Sequence, residues 1–295
     1  MRKAIIDLGT NTFNLLIGEM VDGKLDLIYT DKRPVLLGMG GINENRITQE
    51  AILRAIDAIL DFIQLSKSLN VDSIETIGTS AIRDAVNQKE FIQKIYDMTQ
   101  INVEVVTGDR EAELIMKGVS LTHKFDLPTL IMDIGGGSTE FILCFRNKVI
   151  KSISTNIGVS RLYQQLGMPK EYSAEQKETI LSEFEKYRSE FAVFKDAEIL
   201  LGSSGSFETF YEMINEKTIG RIDKSQEMDY VAFENTLDWT IHSSHDERID
   251  NQYIIPLRKE MIPIASLLIK WVLDIINVQR VYVSPYSLKE GAFAG

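Results

Sequence analysis

Residues 4–17 read AIIDLGTNTFNLLI and residues 130–143 read LIMDIGGGSTEFIL. Laid over one another, they match Asp7 with Asp133, Gly9 with Gly135 and Thr12 with Ser138, each between apolar runs, almost half a chain apart. Each copy predicts a strand, a tight Asp-x-Gly turn and a second strand, with unusually small and polar residues at the tip. Two such hairpins in 295 residues predict a duplicated α/β domain with both hairpins facing one cleft. The expected cut falls near His123–Pro128, giving domains over 1–124 and 125–295.

The surrounding sequence alternates as an α/β protein should. Ile52, Ala55, Ile56, Ile59, Leu60 and Ile63 form a helical stripe between Thr48 and Leu69. Short strands are expected over 73–78, 103–106, 199–201 and 281–284, with a helix over 109–119. Ser173 and Gln176 make a capping box that should open a long helix running to about Phe194. Phe184, Tyr187 and Phe191 recur at helical spacing and read as packing.

Composition excludes several classes. Apolar residues make up 44% and charged residues 25%, as in an ordinary globular protein. The apolar run from Met261 to Ile276 contains Pro263, Lys270 and Asp274, so it predicts a buried helix and no membrane span. The N-terminus lacks the apolar stretch of a signal peptide, which makes a cytoplasmic location the expectation. A net charge of −11 opposes nucleic acid, so an anionic substrate needs a locally basic or metal-bearing site. The single cysteine, Cys144, excludes an internal disulfide and reads as strand packing. His242 and His245 read as part of a solvated turn with no third metal ligand, and His123 offers no partner.

Three glycine-rich turns follow apolar strands: Asp7 to Asn11, Asp133 to Thr139 and Gly202 to Ser206. Such turns let backbone N–H groups converge on an anion, and the Ser and Thr hydroxyls add donors. Asp7 and Asp133 at the turn entrances suit Mg²⁺ held against phosphate oxygens. One turn of this kind is usually only a turn, but three shift the reading to phosphate binding.

The motifs Asp7-Leu-Gly-Thr-Asn-Thr-Phe-Asn, Gly78-Thr-Ser-Ala-Ile-Arg83-Asp, Thr107-Gly-Asp-Arg-Glu111-Ala-Glu, Asp133-Ile-Gly-Gly-Gly-Ser-Thr-Glu140, Gly202-Ser-Ser-Gly-Ser206 and Leu288-Lys-Glu-Gly291 carry the next step. In this order the chain resembles the exopolyphosphatase/guanosine pentaphosphate phosphatase family of the actin-like ATPase superfamily. The resemblance implies two actin-like (ribonuclease H-like) domains with mixed sheets flanked by helices, and a site in the interdomain cleft. It implies Mg²⁺-dependent hydrolysis of a terminal phosphoanhydride, with Glu111 as the catalytic carboxylate and Glu140 as its second carboxylate. Asp7, Asp133 and Glu140 would hold the metal. Gly9, Thr10, Asn11, Arg83, Gly135, Gly136, Gly137, Ser138, Arg161, Gly205 and Ser206 would bind substrate phosphates.

The first substrate expected is inorganic polyphosphate; guanosine pentaphosphate would use the same residues, and a feebly active phosphate sensor is the third reading. The sequence departs from the family where Leu36 stands for an arginine and Lys289 stands for the arginine of the closing motif. Longer relatives carry further C-terminal domains that extend a basic channel. With those missing beyond Gly295, processive action on long chains is in doubt, and a homodimer would restore part of that channel.

Overall fold

The computed structural model describes residues 1–22, 24–220 and 222–295. The chain divides into two compact units, Met1–Gly118 with Ser287–Gly295, and Val119–Tyr286. The last nine residues thus join the first unit, whereas a single cut at 124 assigns them to the second. Glycines on two helices allow this: a Cβ on Gly291 would lie 1.8 Å from the Leu114 carbonyl oxygen, and one on Gly118 1.8 Å from that of Ser287. The helix Leu288–Ala294 therefore lies directly on the helix Gly108–Ser120.

The first unit is built on β1 (Arg2–Leu8), β2 (Phe13–Val21), β3 (Lys24–Arg33), β4 (Ser73–Gly78) and β5 (Val103–Val105). Their order is β3-β2-β1-β4-β5, with the hairpin strands antiparallel and β1, β4 and β5 parallel. The second unit contains β6 (Thr129–Ile134), β7 (Thr139–Phe145), β8 (Lys148–Thr155), β9 (Ile199–Ser203), β10 (Gln226–Met228) and β11 (Arg280–Val283). Its order β10-β11-β9-β6-β7-β8 repeats the first sheet, with β10 added at the edge. Both are mixed sheets flanked by helices, and the repeat read from the sequence is a repeat of topology.

Strand alternation decides which residues face the core. Ala4, Ile6 and Leu8 of β1 pack with Phe13, Leu15 and Ile17 of β2 in one apolar cluster, which includes Ala51, Ile52, Ala55 and Ile59 of the helix Gln49–Ser68. In the second unit Leu130, Met132, Phe141 and Leu143 join Ile264, Leu268 and Trp271 of the helix Ile262–Leu273. Asp7 and Asp133 fall on the opposite face of their sheets. The apolar run of 261–276 forms the buried helix expected, and no described helix is long and apolar enough to cross a membrane.

One expected element differs. The capping box of Ser173 and Gln176 is present, but its helix stops at Glu185 and is followed by the short helix Arg188–Phe191 and a 3-10 turn to Phe194. The break seats Phe191 edge-on to both Phe141 and Trp271, at 4.5 and 4.7 Å between ring centres, with Phe194 beside it. Aromatic packing overrides the local helical pattern here.

Candidate active site

In α/β sheets, ligands gather at the carboxyl ends of parallel strands, where loops expose backbone groups. In the first unit those ends are Leu8, Gly78 and Val105, and the residues singled out in the sequence sit on them or just after them. Gly9 opens the hairpin tip: a Cβ there would lie 2.8 Å from the Thr12 carbonyl oxygen, so only glycine makes the turn. The same contact at Gly135, 2.9 Å from the Ser138 oxygen, shows one turn built twice.

The tip of the first hairpin is braced. Leu36 N–H donates to the Asn11 carbonyl at 2.8 Å and Gly38 N–H to the Thr10 carbonyl at 3.1 Å. Arg54 in turn donates to the carbonyls of Val35 and Leu36. Leu36 itself has φ +51°, a left-handed backbone that its side chain disfavours, and its main-chain N–H is bonded to the tip. Asp7 accepts a hydrogen bond from the Asn14 amide at 3.0 Å.

Arg83 and Glu111 come together from different loops. Arg83 ends the one-turn helix after β4. Glu111 lies in the first turn of Gly108–Ser120, whose start is capped by the Thr107 hydroxyl accepting from Arg110 N–H. Arg83 Nη1 donates to Glu111 Oε2 at 2.5 Å, and Glu111 is only 6% exposed. The sequence offered them as separate binder and base; the structure makes them an ion pair. Glu111 thus combines a favourable place at a helix start with a charge-assisted bond to Arg83.

In the second unit one level of the sheet carries a polar row. Glu140 pairs across β7 and β8 with Ser154, Asp133 pairs across β6 and β7 with Glu140, and Ser203 pairs with Asp133 across β6 and β9. Ser154 and Ser138 hydroxyls donate to Glu140 Oε1 at 2.9 and 2.7 Å, and Ser203 donates to Asp133 Oδ2 at 3.0 Å. Two buried carboxylates directly opposite one another repel, and a divalent cation between them would offset this. Among the described residues no three or more His, Cys, Asp or Glu side chains form a protein-only cage. That donor set fits Mg²⁺, which binds through one or two carboxylates, water and substrate phosphates.

The glycine turn is held by its carbonyls. Gly135 accepts from Val159 N–H, and Gly136 from both Ser160 and Arg161 N–H, while Arg161 Nε donates to the Gly137 oxygen at 3.2 Å. Arg161 thus sits at the loop.

Ser204, between β9 and the helix Gly205–Asn215, adopts φ +72° and ψ −179°, a region that strongly favours glycine. At the first helical residue the structure adds a group the sequence reading missed. A Cβ on Gly205 would lie 1.5 Å from an Nη of Arg258, and Arg258 Nη1 donates to the Thr209 hydroxyl at 3.0 Å. Burial works against this guanidinium's charge, and Glu208 and Glu212 support it. These carboxylates offset the unfavourable placement of a cation at the positive end of a helix, and a bound phosphate would add to that. Ser154 and Arg258 were hidden because only sheet register and tertiary folding bring them to the turns; Arg258 lies more than fifty residues from its loop.

Other candidates resolve differently. Burial pushes the Cys144 thiol up to about 12, so it is no nucleophile near neutral pH. His242 caps its own helix through the Asp238 carbonyl, and His245 starts the helix His245–Asp250 and bonds Glu260 at 3.1 Å. Lys289 pairs with buried Glu290 at 2.9 Å.

A bifunctional 3-dehydroquinate synthase/phosphatase of Fusobacterium nucleatum is 28% identical over 96% of this chain and 44% of its own length. A guanosine-5'-triphosphate,3'-diphosphate pyrophosphatase of Vibrio vulnificus is 24% identical over 98% of this chain and 58% of its own. The chain therefore spans about half the length of these relatives. The crystal structure of an exopolyphosphatase from Cytophaga hutchinsonii superposes with a TM-score of 0.92 at 32% identity, covering 99% of this chain and 96% of that one. The Ppx/GppA phosphatase family model matches residues 16–295, and the chain belongs to that family.

Proposed function

We propose that this chain is a Mg²⁺-dependent exopolyphosphatase that releases orthophosphate from the end of inorganic polyphosphate. The observation that carries the reading is the buried ion pair of Glu111 with Arg83 at the ends of β4 and β5, a carboxylate beside a phosphate-binding cation. Water is a poor nucleophile, and a carboxylate that orients and deprotonates it supplies the missing basicity. An incoming terminal phosphate competes for Arg83 and releases Glu111 Oε2 to take a water proton. The water oxygen bonds to the terminal phosphorus, the anhydride P–O bond breaks, and the shortened chain leaves with the electron pair.

The remaining residues hold charge in place, which is most of what phosphoryl transfer asks of a protein. The turns at Gly9, Thr10 and Asn11, at Gly135, Gly136, Gly137 and Ser138, and at Gly205 and Ser206 offer backbone and hydroxyl donors. Arg161 and Arg258 add cations at the second and third turns. Asp133 and Glu140 in the second unit, and Asp7 in the first, are the carboxylates suited to Mg²⁺, which when bound would neutralise phosphate oxygens. The likeness to an exopolyphosphatase across nearly all of both chains supports polyphosphate as the substrate. The second reading, removal of the 5'-terminal phosphate of guanosine pentaphosphate, has the support of the Vibrio relative.

The test is phosphate release with Mg²⁺ from long polyphosphate, tripolyphosphate and guanosine pentaphosphate. Faster release from polyphosphate is the expected result. Preference for the nucleotide would replace the first reading by the second, and binding without release would make the chain a sensor.

A further inference from the structure

Arg258 lies in irregular chain, on a 3-10 turn spanning Pro256–Arg258, yet its guanidinium is set against Gly205 with no room for a methyl group. Something other than regular secondary structure must fix it. The next residue, Lys259, is buried, and its ammonium donates to three main-chain carbonyls: Arg248 at 2.6 Å, Ile249 at 2.8 Å and Asn251 at 2.7 Å. These close the carboxyl end of the helix His245–Asp250, where unsatisfied carbonyls attract a cation. Arg248, 1% exposed, answers from that helix: its Nε donates to the Lys259 carbonyl at 2.7 Å, and its guanidinium also binds the carbonyls of Ser243 and Lys170.

Each side chain thus holds the other's main chain. Burying two cations is expensive when their hydrogen bonds go to carbonyls and a hydroxyl instead of carboxylates, and apolar residues would fill the space more cheaply. What the cations provide is a fixed main-chain position for residue 259, and with it the direction in which residue 258 leaves the chain. The neighbours are tied too: Tyr172 donates to the Glu260 carbonyl at 2.7 Å, and His245 bonds the Glu260 carboxylate.

We propose that Lys259 and Arg248 are positioning residues, a reciprocal lock that places the Arg258 guanidinium at the Gly205 turn for phosphate. The inference rests on the reading of that turn as a phosphate site. Its test compares wild type, Arg258→Ala, Lys259→Met and the double variant, through KM and kcat for polyphosphate and Kd for tripolyphosphate by calorimetry.

In the wild-type background Lys259→Met should raise KM and Kd about tenfold and leave kcat within about threefold. In the Arg258→Ala background the same substitution should change neither, because there is no guanidinium left to misplace. Equal losses in both backgrounds, or an unchanged Kd in the single variant, would overturn the lock. Where Lys259→Met does not fold, Arg248→Lys keeps the charge but loses the fork that holds the Lys259 carbonyl, and its effect on Kd should likewise vanish when combined with Arg258→Ala. Wild type that neither binds tripolyphosphate nor releases phosphate would sink the phosphate reading itself, and the lock with it.

Discussion

At equivalent positions the first hairpin sets Asp7 opposite Asn14, and the second sets Asp133 opposite Glu140. The rows continue differently as well: Lys32 and Ile77 flank the first pair, Ser154 and Ser203 the second. The backbone turn is the same in both, down to the close approach at Gly9 and Gly135. Duplication has kept the frame and altered the charge. The first row carries one carboxylate satisfied by an amide, while the second carries two carboxylates fed by three hydroxyls. The first unit holds instead the Glu111–Arg83 pair. Under the proposed function the units divide the labour, with the base in one and the more acidic metal row in the other.

The largest effect expected from breaking that division is at Glu111. Glu111→Gln keeps the shape and removes the base, so kcat should fall by about 10²–10⁴-fold with KM little changed, measured by steady-state phosphate release. Next comes Glu140→Gln, which gives the second row the character of the first; the Mg²⁺ concentration for half-maximal rate should rise about tenfold or more.

The converse, Asn14→Asp, places two carboxylates opposite one another in the first row and removes the amide donor to Asp7. It should destabilise the protein by about 1–2 kcal/mol in urea without divalent cation, and Mg²⁺ should recover part of that loss. Acid should also weaken the protein through His123, in the second unit. Burial, then Arg280, holds this imidazole's pKa below its ordinary value; its Nδ1 bonds the Ser225 hydroxyl at 2.7 Å, a partner the sequence did not reveal, while its Nε2 has no hydrogen-bond partner among the described residues. As pH falls through about 6.5 the unfolded chain takes up a proton that the folded chain refuses, so stability declines towards the folded pKa. His123→Asn should flatten that slope, read from urea midpoints at pH 7.5 and 5.5. The smallest effect is a gain: Ser204→Gly relieves a strained backbone and should stabilise by about 1 kcal/mol, less the weak bond from its hydroxyl to the Ile134 carbonyl, checked by thermal unfolding.

The hairpins were legible in the sequence because a turn of this kind is local: Asp, Gly and a hydroxyl within six residues dictate it. So were the helix after Thr48, whose hydroxyl caps it, and the placement of Glu111 at the start of its helix. The Arg83–Glu111 pair was half visible, since each residue stood out but the parallel neighbours β4 and β5 bring them together. Arg258 was invisible: its partners Gly205 and Thr209 are remote in the chain, and its own segment has no periodicity to read. The destination of the last nine residues was hidden for the same reason, because helix-to-helix contact through Gly118 and Gly291 leaves no local signature.

Division of labour between the two hairpin units is tested most directly by titrating Mg²⁺ into Glu111→Gln and Glu140→Gln side by side, with polyphosphate as substrate. Glu111→Gln should lose rate at every Mg²⁺ concentration without moving the midpoint, and Glu140→Gln should move the midpoint and regain part of its rate at high Mg²⁺. Equal midpoint shifts in both variants, or none in Glu140→Gln, would contradict it.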